Sequence, residues 1–191
     1  MGEERAVSDK SLKCLRTGFA VALVPTIILT ILLNMEVLHT NAAQLGIVSF
    51  EFAGTTERTI AIVHSWENAG GLEAAWLNLA LDTFLYIPIY SACLAFGCLI
   101  AQRIFADQNR QDAARFCKVL AWCQIAIAIF DWIENFALAQ MLVPPPTPSP
   151  FWPLLALIFT VAKWLLVFAS IYQILCAAKL WLWDLLRRGS A

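Results

Sequence analysis

The chain has 191 residues, enough for one domain. Its apolar fraction is 60% and its mean hydropathy is +0.69, where soluble chains are about 45–50% apolar, so it needs lipid around it. A formal net charge of -1 excludes both the basic excess of a nucleic-acid-binding protein and the acidic excess of a solvating tail.

Crossing a hydrocarbon core of about 30 Å takes about 20 apolar residues of helix. Four stretches qualify: 18–33, 76–101, 119–143 and 151–180. They predict an all-α fold, an integral membrane four-helix bundle forming a single membrane domain over 1–191. The first stretch follows Lys10, Lys13 and Arg16, as a signal peptide would. It runs into Asn34, Met35 and Glu36 rather than a small-residue cleavage site, so it reads as a retained helix.

The loop 34–75 is too long for a plain connector and too short for a folded domain. Within it, Thr56 is expected to cap a short extracytoplasmic helix over 56–68, with Ile60, Val63 and Trp66 on one face and Gly70 and Gly71 as the stop. That helix would lie flat on the membrane or close over the mouth of the bundle. Between the last two spans, the five prolines of Pro144 to Pro150 predict a stiff extended turn.

Lysine and arginine are unevenly divided. Four precede the first span, Arg103, Arg110, Arg115 and Lys118 lie between the second and third, and Lys179, Arg187 and Arg188 close the chain. The first loop has only Arg58 and the third loop has none. By the positive-inside rule both termini and the middle loop face the cytoplasm of a cell membrane. Trp76 and Trp152 then mark the outer interface, and Trp181 and Trp183 the inner one.

Cys93, Cys98, Cys117, Cys123 and Cys176 fall in or beside apolar runs, Cys14 lies in the basic N-terminal segment, and no C-x-x-C occurs. They read as small hydrophobes rather than a disulfide framework or a zinc site. Nothing resembles a P-loop, a dinucleotide glycine motif or a serine elbow.

The informative residues are the charges inside the spans, each costing about 2.5–3.5 kcal/mol on the translocon scale. Asp82, Glu134, Asp131 and Lys163 lie at depths of about 9, 14, 18 and 18 Å from the outer side, at 1.5 Å of helix rise per residue. Asp131 and Lys163 are therefore level and able to pair. Gln124, Asp131 and Asn135 fall within about 40° of one another on the third span, with Glu134 about 60° to the side. Asn78, Asp82 and Tyr86 are spaced i, i+4, i+8 on the second span, and Thr160, Lys163 and Ser170 share a face of the fourth. In lipid such stripes must face one another. Glu51, set between two phenylalanines, and His64 add ionisable groups from the first loop, with Glu51 expected to dip into the mouth.

A structural reading stands beside the functional one, since an Asp131–Lys163 pair can lock two helices in register. Three intramembrane carboxyls against one lysine nevertheless leave an excess of acid in a low-dielectric site, the arrangement expected of groups that bind or transform something. The cluster Asp82, Asp131, Glu134, Lys163, Glu51, His64, Asn135 and Tyr86 is thus the candidate binding site for a small ligand, a lipid head group or a proton. The alternatives are an enzyme acting on a lipid or isoprenoid, with Asp131 or Glu134 as acid and Asp82 or Glu51 as base, and a structural subunit of a larger membrane complex. Trp66, Trp132, Trp164, Tyr86 and Phe136 would line an enzyme's pocket. Metal is not assigned: Asp131 and Glu134 at i, i+3 depart from the Glu and His pair of bundle metal sites, and Lys163 would repel a cation. Cofactors stay unknown, and the partners expected are membrane lipids, with a homo-oligomer or larger assembly open.

Three runs, Gly46-Ile47-Val48-Ser49-Phe50-Glu51-Phe52-Ala53-Gly54, Leu81-Asp82-Thr83-Phe84-Leu85-Tyr86 and Asp131-Trp132-Ile133-Glu134-Asn135, resemble small four-span bacterial membrane proteins of uncharacterised function. The resemblance extends from the first loop through the third span. It implies a bacterial cytoplasmic membrane and a common purpose for these acids, and no reaction.

Overall fold

The computed structural model describes residues 2–143 and 149–189, and among them every regular element is a helix. Long helices α1 (Gly2–Leu33), α6 (Gln111–Leu142) and α7 (Phe151–Gly189) stand before and after a run of shorter ones: α2 (Ile47–Glu51), α3 (Thr56–Ala69), α4 (Leu72–Leu81) and α5 (Ile87–Asp107). A π turn over Asp82–Tyr86 joins α4 to α5 as one rod. Four segments are long and apolar enough to cross a membrane, as a polytopic membrane protein requires: Ser11–Leu33, Leu72–Asp107, Gln111–Leu142 and Phe151–Arg187. Each exceeds or matches its expected span because hydropathy marks only the lipid-facing part, while polar helix formers such as Gln102, Arg103, Asp112 and Arg115 continue the helix beyond it. Large side chains that a soluble protein would bury, including Val21, Phe84, Trp122 and Leu165, stand exposed on these segments. The proline turn of Pro144 to Pro150 falls, over 144–148, outside the described residues.

The chain divides into two compact units. The loop unit contains Thr26–Pro88 and Ile127–Trp164, and the terminal unit contains Met1–Pro25, Ile89–Ala126 and Leu165–Ala191.

In the loop unit, α3 begins one residue after its cap. Thr55, not Thr56, accepts the Arg58 N–H on its hydroxyl at 3.3 Å, and Gly70, at φ 70°, ends the helix in the left-handed region that suits glycine. The buried face of α3 is Thr59, Ile62, Val63 and Trp66, with Ile62 in place of the expected Ile60. Ile62, Val63 and Trp66 share one core with Ala75 and Leu79 of α4, Ala137, Leu138 and Met141 of α6 and Ala156 of α7. The short helix therefore packs its apolar face against α4, α6 and α7 as a cap. Trp66 anchors the cap: it packs against Phe50 with ring centroids 5.1 Å apart and donates its indole N–H to the Leu38 carbonyl at 2.8 Å.

In the terminal unit, α5 turns into α6 through Asn109, held at φ 59°, while the Arg110 N–H closes back on the Phe105 carbonyl at 2.9 Å. Asparagine tolerates that conformation better than other side chains with a Cβ. The core is made of small residues, Ala101, Ala114, Cys117 and Ala177, around Phe105. Cys93, Cys98 and Cys117 are buried, Cys123 and Cys176 half-buried and Cys14 exposed, and all six are free thiols.

Candidate functional site

Every residue of the site belongs to the loop unit. Lys163 comes from α7, Asp131, Glu134 and Asn135 from α6, Glu51 from the last position of α2, and Asp82 from the first position of the π turn. The loop delivers Glu51 because Gly46 and Gly54, at φ 58° and 68°, bend the chain into and out of α2. An ideal Cβ at Gly54 would lie 3.0 Å from Leu157 of α7, so this backbone rests directly on the last span. The Thr160 hydroxyl of α7 lies 3.4 Å from the Glu51 carbonyl and donates to Ala156 at 2.8 Å.

The Lys163 ammonium is the centre of the cluster. Its Nζ lies 2.6 Å from Asp131 Oδ1, 3.0 and 2.9 Å from Glu134 Oε1 and Oε2, and 3.6 Å from Glu51 Oε2. Three carboxyls, two from α6 and one from the loop helix α2, thus meet the three protons of one ammonium. Exposures of 7% for Lys163, 3% for Asp131 and 0% for Glu134 put this network out of solvent. An ion taken from water at such a site is tolerated only with partners this close.

Asp82 joins through an amide. Asn135 Nδ2 donates to Asp82 Oδ2 at 2.6 Å and to Thr83 Oγ1 at 3.0 Å, and the Trp132 indole donates to the Thr83 carbonyl at 3.1 Å. The geometry for this comes from Pro88. Lacking an N–H, it cannot bond the Phe84 carbonyl in an α pattern, and the chain widens into a π turn in which the Ile87 N–H reaches back to the Asp82 carbonyl. The added residue changes the register within the second span. The i, i+4, i+8 stripe faces two neighbours: Asp82 meets α6, while Asn78 donates to the Leu33 carbonyl at 2.6 Å and the Tyr86 hydroxyl lies 3.1 Å from that of Thr30, both on α1.

Seven of the eight expected site residues therefore lie in or around one network, with Tyr86 on its α1 side. His64 stands apart. It sits on the exposed face of α3 and pairs with Glu67 at 2.9 Å, one turn along the same helix. Trp66 is a core anchor rather than a pocket wall, and Trp132 and Phe136 are 47% and 58% exposed on the outside of α6. Gln124 belongs to the terminal unit, where its amide donates to Ser170 at 2.9 Å. Thr83 is the participant that sequence periodicity misses, because the π turn that brings it to Asn135 breaks the period. Among the described residues no set of three or more His, Cys, Asp or Glu side chains is arranged to hold a metal ion.

No protein-family model, curated protein or solved structure matches this chain.

Proposed function

We propose that this is a multi-pass protein of the cytoplasmic membrane, both termini in the cytoplasm, that binds a proton at the Lys163 cluster in the outward half of its bundle. The observation that carries the reading is three carboxyl groups gathered on one buried ammonium, with a fourth, Asp82, joined through the Asn135 amide, a formal excess of three negative charges. In a medium of low effective dielectric that excess demands neutralisation. A proton achieves it without displacing side chains that already touch. Glu51, alone among the acids, rides on a loop helix rather than a span, which makes it the group through which protons would pass between the cluster and the outside. Of the three cargoes compatible with the sequence, a small ligand, a lipid head group or a proton, the proton requires the least room.

The test is infrared difference spectroscopy of the full chain in lipid nanodiscs across about pH 5 to 8, the range in which a proton-binding site must work. A carbonyl stretch of a protonated carboxylic acid should change with pH in the wild type and be lost in Glu134→Gln or Asp82→Asn with helix content intact. A spectrum without such a band would overturn the proposal. The cluster is then an ion-pair lock if Asp131→Asn and Lys163→Met each lower the melting temperature and the double variant recovers it. It is a head-group site if added membrane lipid raises the melting temperature of the wild type and not of Asp131→Asn.

A further inference from the structure

The terminal unit contains an open cavity of about 250 Å³ lined by α1, α5 and α7. Its lining carries both signs of charge: Arg16 and Arg103 on one hand, Asp107 and Asp184 on the other. Leu12 and Leu185 supply apolar wall, and Trp181 stands at its edge, 47% exposed, as a tryptophan does at a membrane interface. One group of each sign, Arg103 and Asp184, is held in place. Arg103 hydrogen-bonds the Ser11 hydroxyl across from α5 to α1, and Gln108 Nε2 donates to Asp184 Oδ2 at 2.6 Å across from α5 to α7.

Two guanidiniums beside two carboxylates have no net charge to offer a simple anion. They offer a matched pair of subsites: forked N–H donors for phosphate oxygens, and acceptors for an N–H-bearing cation. The volume suits a head group and not a whole lipid, and the apolar wall beside it suits the start of the acyl chains.

We propose that this cavity binds a phospholipid whose head group carries a phosphate and a primary ammonium, as in phosphatidylethanolamine, with the phosphate at Arg16 and Arg103 and the ammonium at Asp107 and Asp184. A quaternary ammonium has no N–H for the carboxylates, and a glycerol head group has no cation. The site should therefore discriminate against both. The inference rests on the terminal unit alone and is independent of the proton reading.

The experiment is native mass spectrometry of the detergent-solubilised full chain with one lipid added at a time, paired with melting temperatures. Phosphatidylethanolamine should be retained more strongly than phosphatidylcholine or phosphatidylglycerol and should raise the melting temperature most. Arg16→Gln should lower its retention by about fivefold, the worth of one basic contact at a lipid surface. Asp107→Asn should bring phosphatidylethanolamine down toward the level of phosphatidylcholine. Both side chains are exposed, so neither variant threatens the fold. Equal retention of the three lipids, preference for phosphatidylglycerol, no retained lipid, or unchanged retention in both variants would each overturn the proposal.

Discussion

The two units draw on the same long helices and bury different things. The loop unit is filled by bulky side chains, Trp66, Phe50, Leu38 and Ile62, none more than 1% exposed, and beneath that cover it buries Asp131, Glu134 and Lys163. The terminal unit is filled mainly by alanine and cysteine, and among the described residues its buried polar side chains, Ser91, Gln124 and Ser170, are uncharged. Small residues let helix backbones approach one another and pack tightly in lipid. A wide aromatic cap does something else: it keeps water from charged groups, so that every electrostatic contact below it is strengthened and every unmatched one is costly. In this chain the buried charge lies where the cap is, and the unit without a cap keeps its charges at the surface.

That contrast can be broken most severely at Lys163. Lys163→Met leaves three carboxyls without their common partner, and loss of one member of a buried pair is worth about 3–5 kcal/mol. Thermal unfolding in detergent should show the loss, and hydrogen exchange should place it in Thr26–Pro88 and Ile127–Trp164 rather than in the terminal unit. The complementary break is Gly97→Leu. An ideal Cβ there already lies 2.6 Å from Ile174 Cδ1 and 3.2 Å from Phe19, so overpacking should cost about 1–3 kcal/mol and raise exchange in the terminal unit only. The smallest effect sharpens the role of the cap. Thr55→Ala removes the side-chain acceptor at the start of α3 and should cost about 1 kcal/mol, read as faster exchange of the Arg58 amide while the cluster keeps its infrared signature.

The sequence was most legible where lipid imposes a simple rule. Span number followed from apolar length, and the pairing of Asp131 with Lys163 followed from depth and helix rise alone. Glu51 was readable only in part: a carboxylate between Phe50 and Phe52 suits the mouth of the bundle or the lipid interface, and its contact with Lys163 comes from the turns at Gly46 and Gly54. His64 misled for the opposite reason: proximity in sequence to Trp66 says nothing about which face of α3 it occupies, and the helix turns it outward to Glu67. The splitting of Asn78, Asp82 and Tyr86 was hidden because spacing along one helix does not say which neighbouring helix each residue of a stripe meets. For Thr83 the signal available was Pro88, whose missing N–H widens the turn before it. The cavity shared by Arg16 and Asp184 gave no sign at all, since residues that far apart in sequence meet only through helix packing.

Lys163 also bears on how the chain is made. The ribosome delivers Glu51, Asp131 and Glu134 first, and the ammonium they share arrives only with the last span. Until then the third span carries two acids into the membrane, each at about 2.5–3.5 kcal/mol. Release of that span into lipid should therefore wait for the fourth, so that the two leave the translocon as a hairpin, and a nascent chain stopped short of α7 should be held there or handed to quality control.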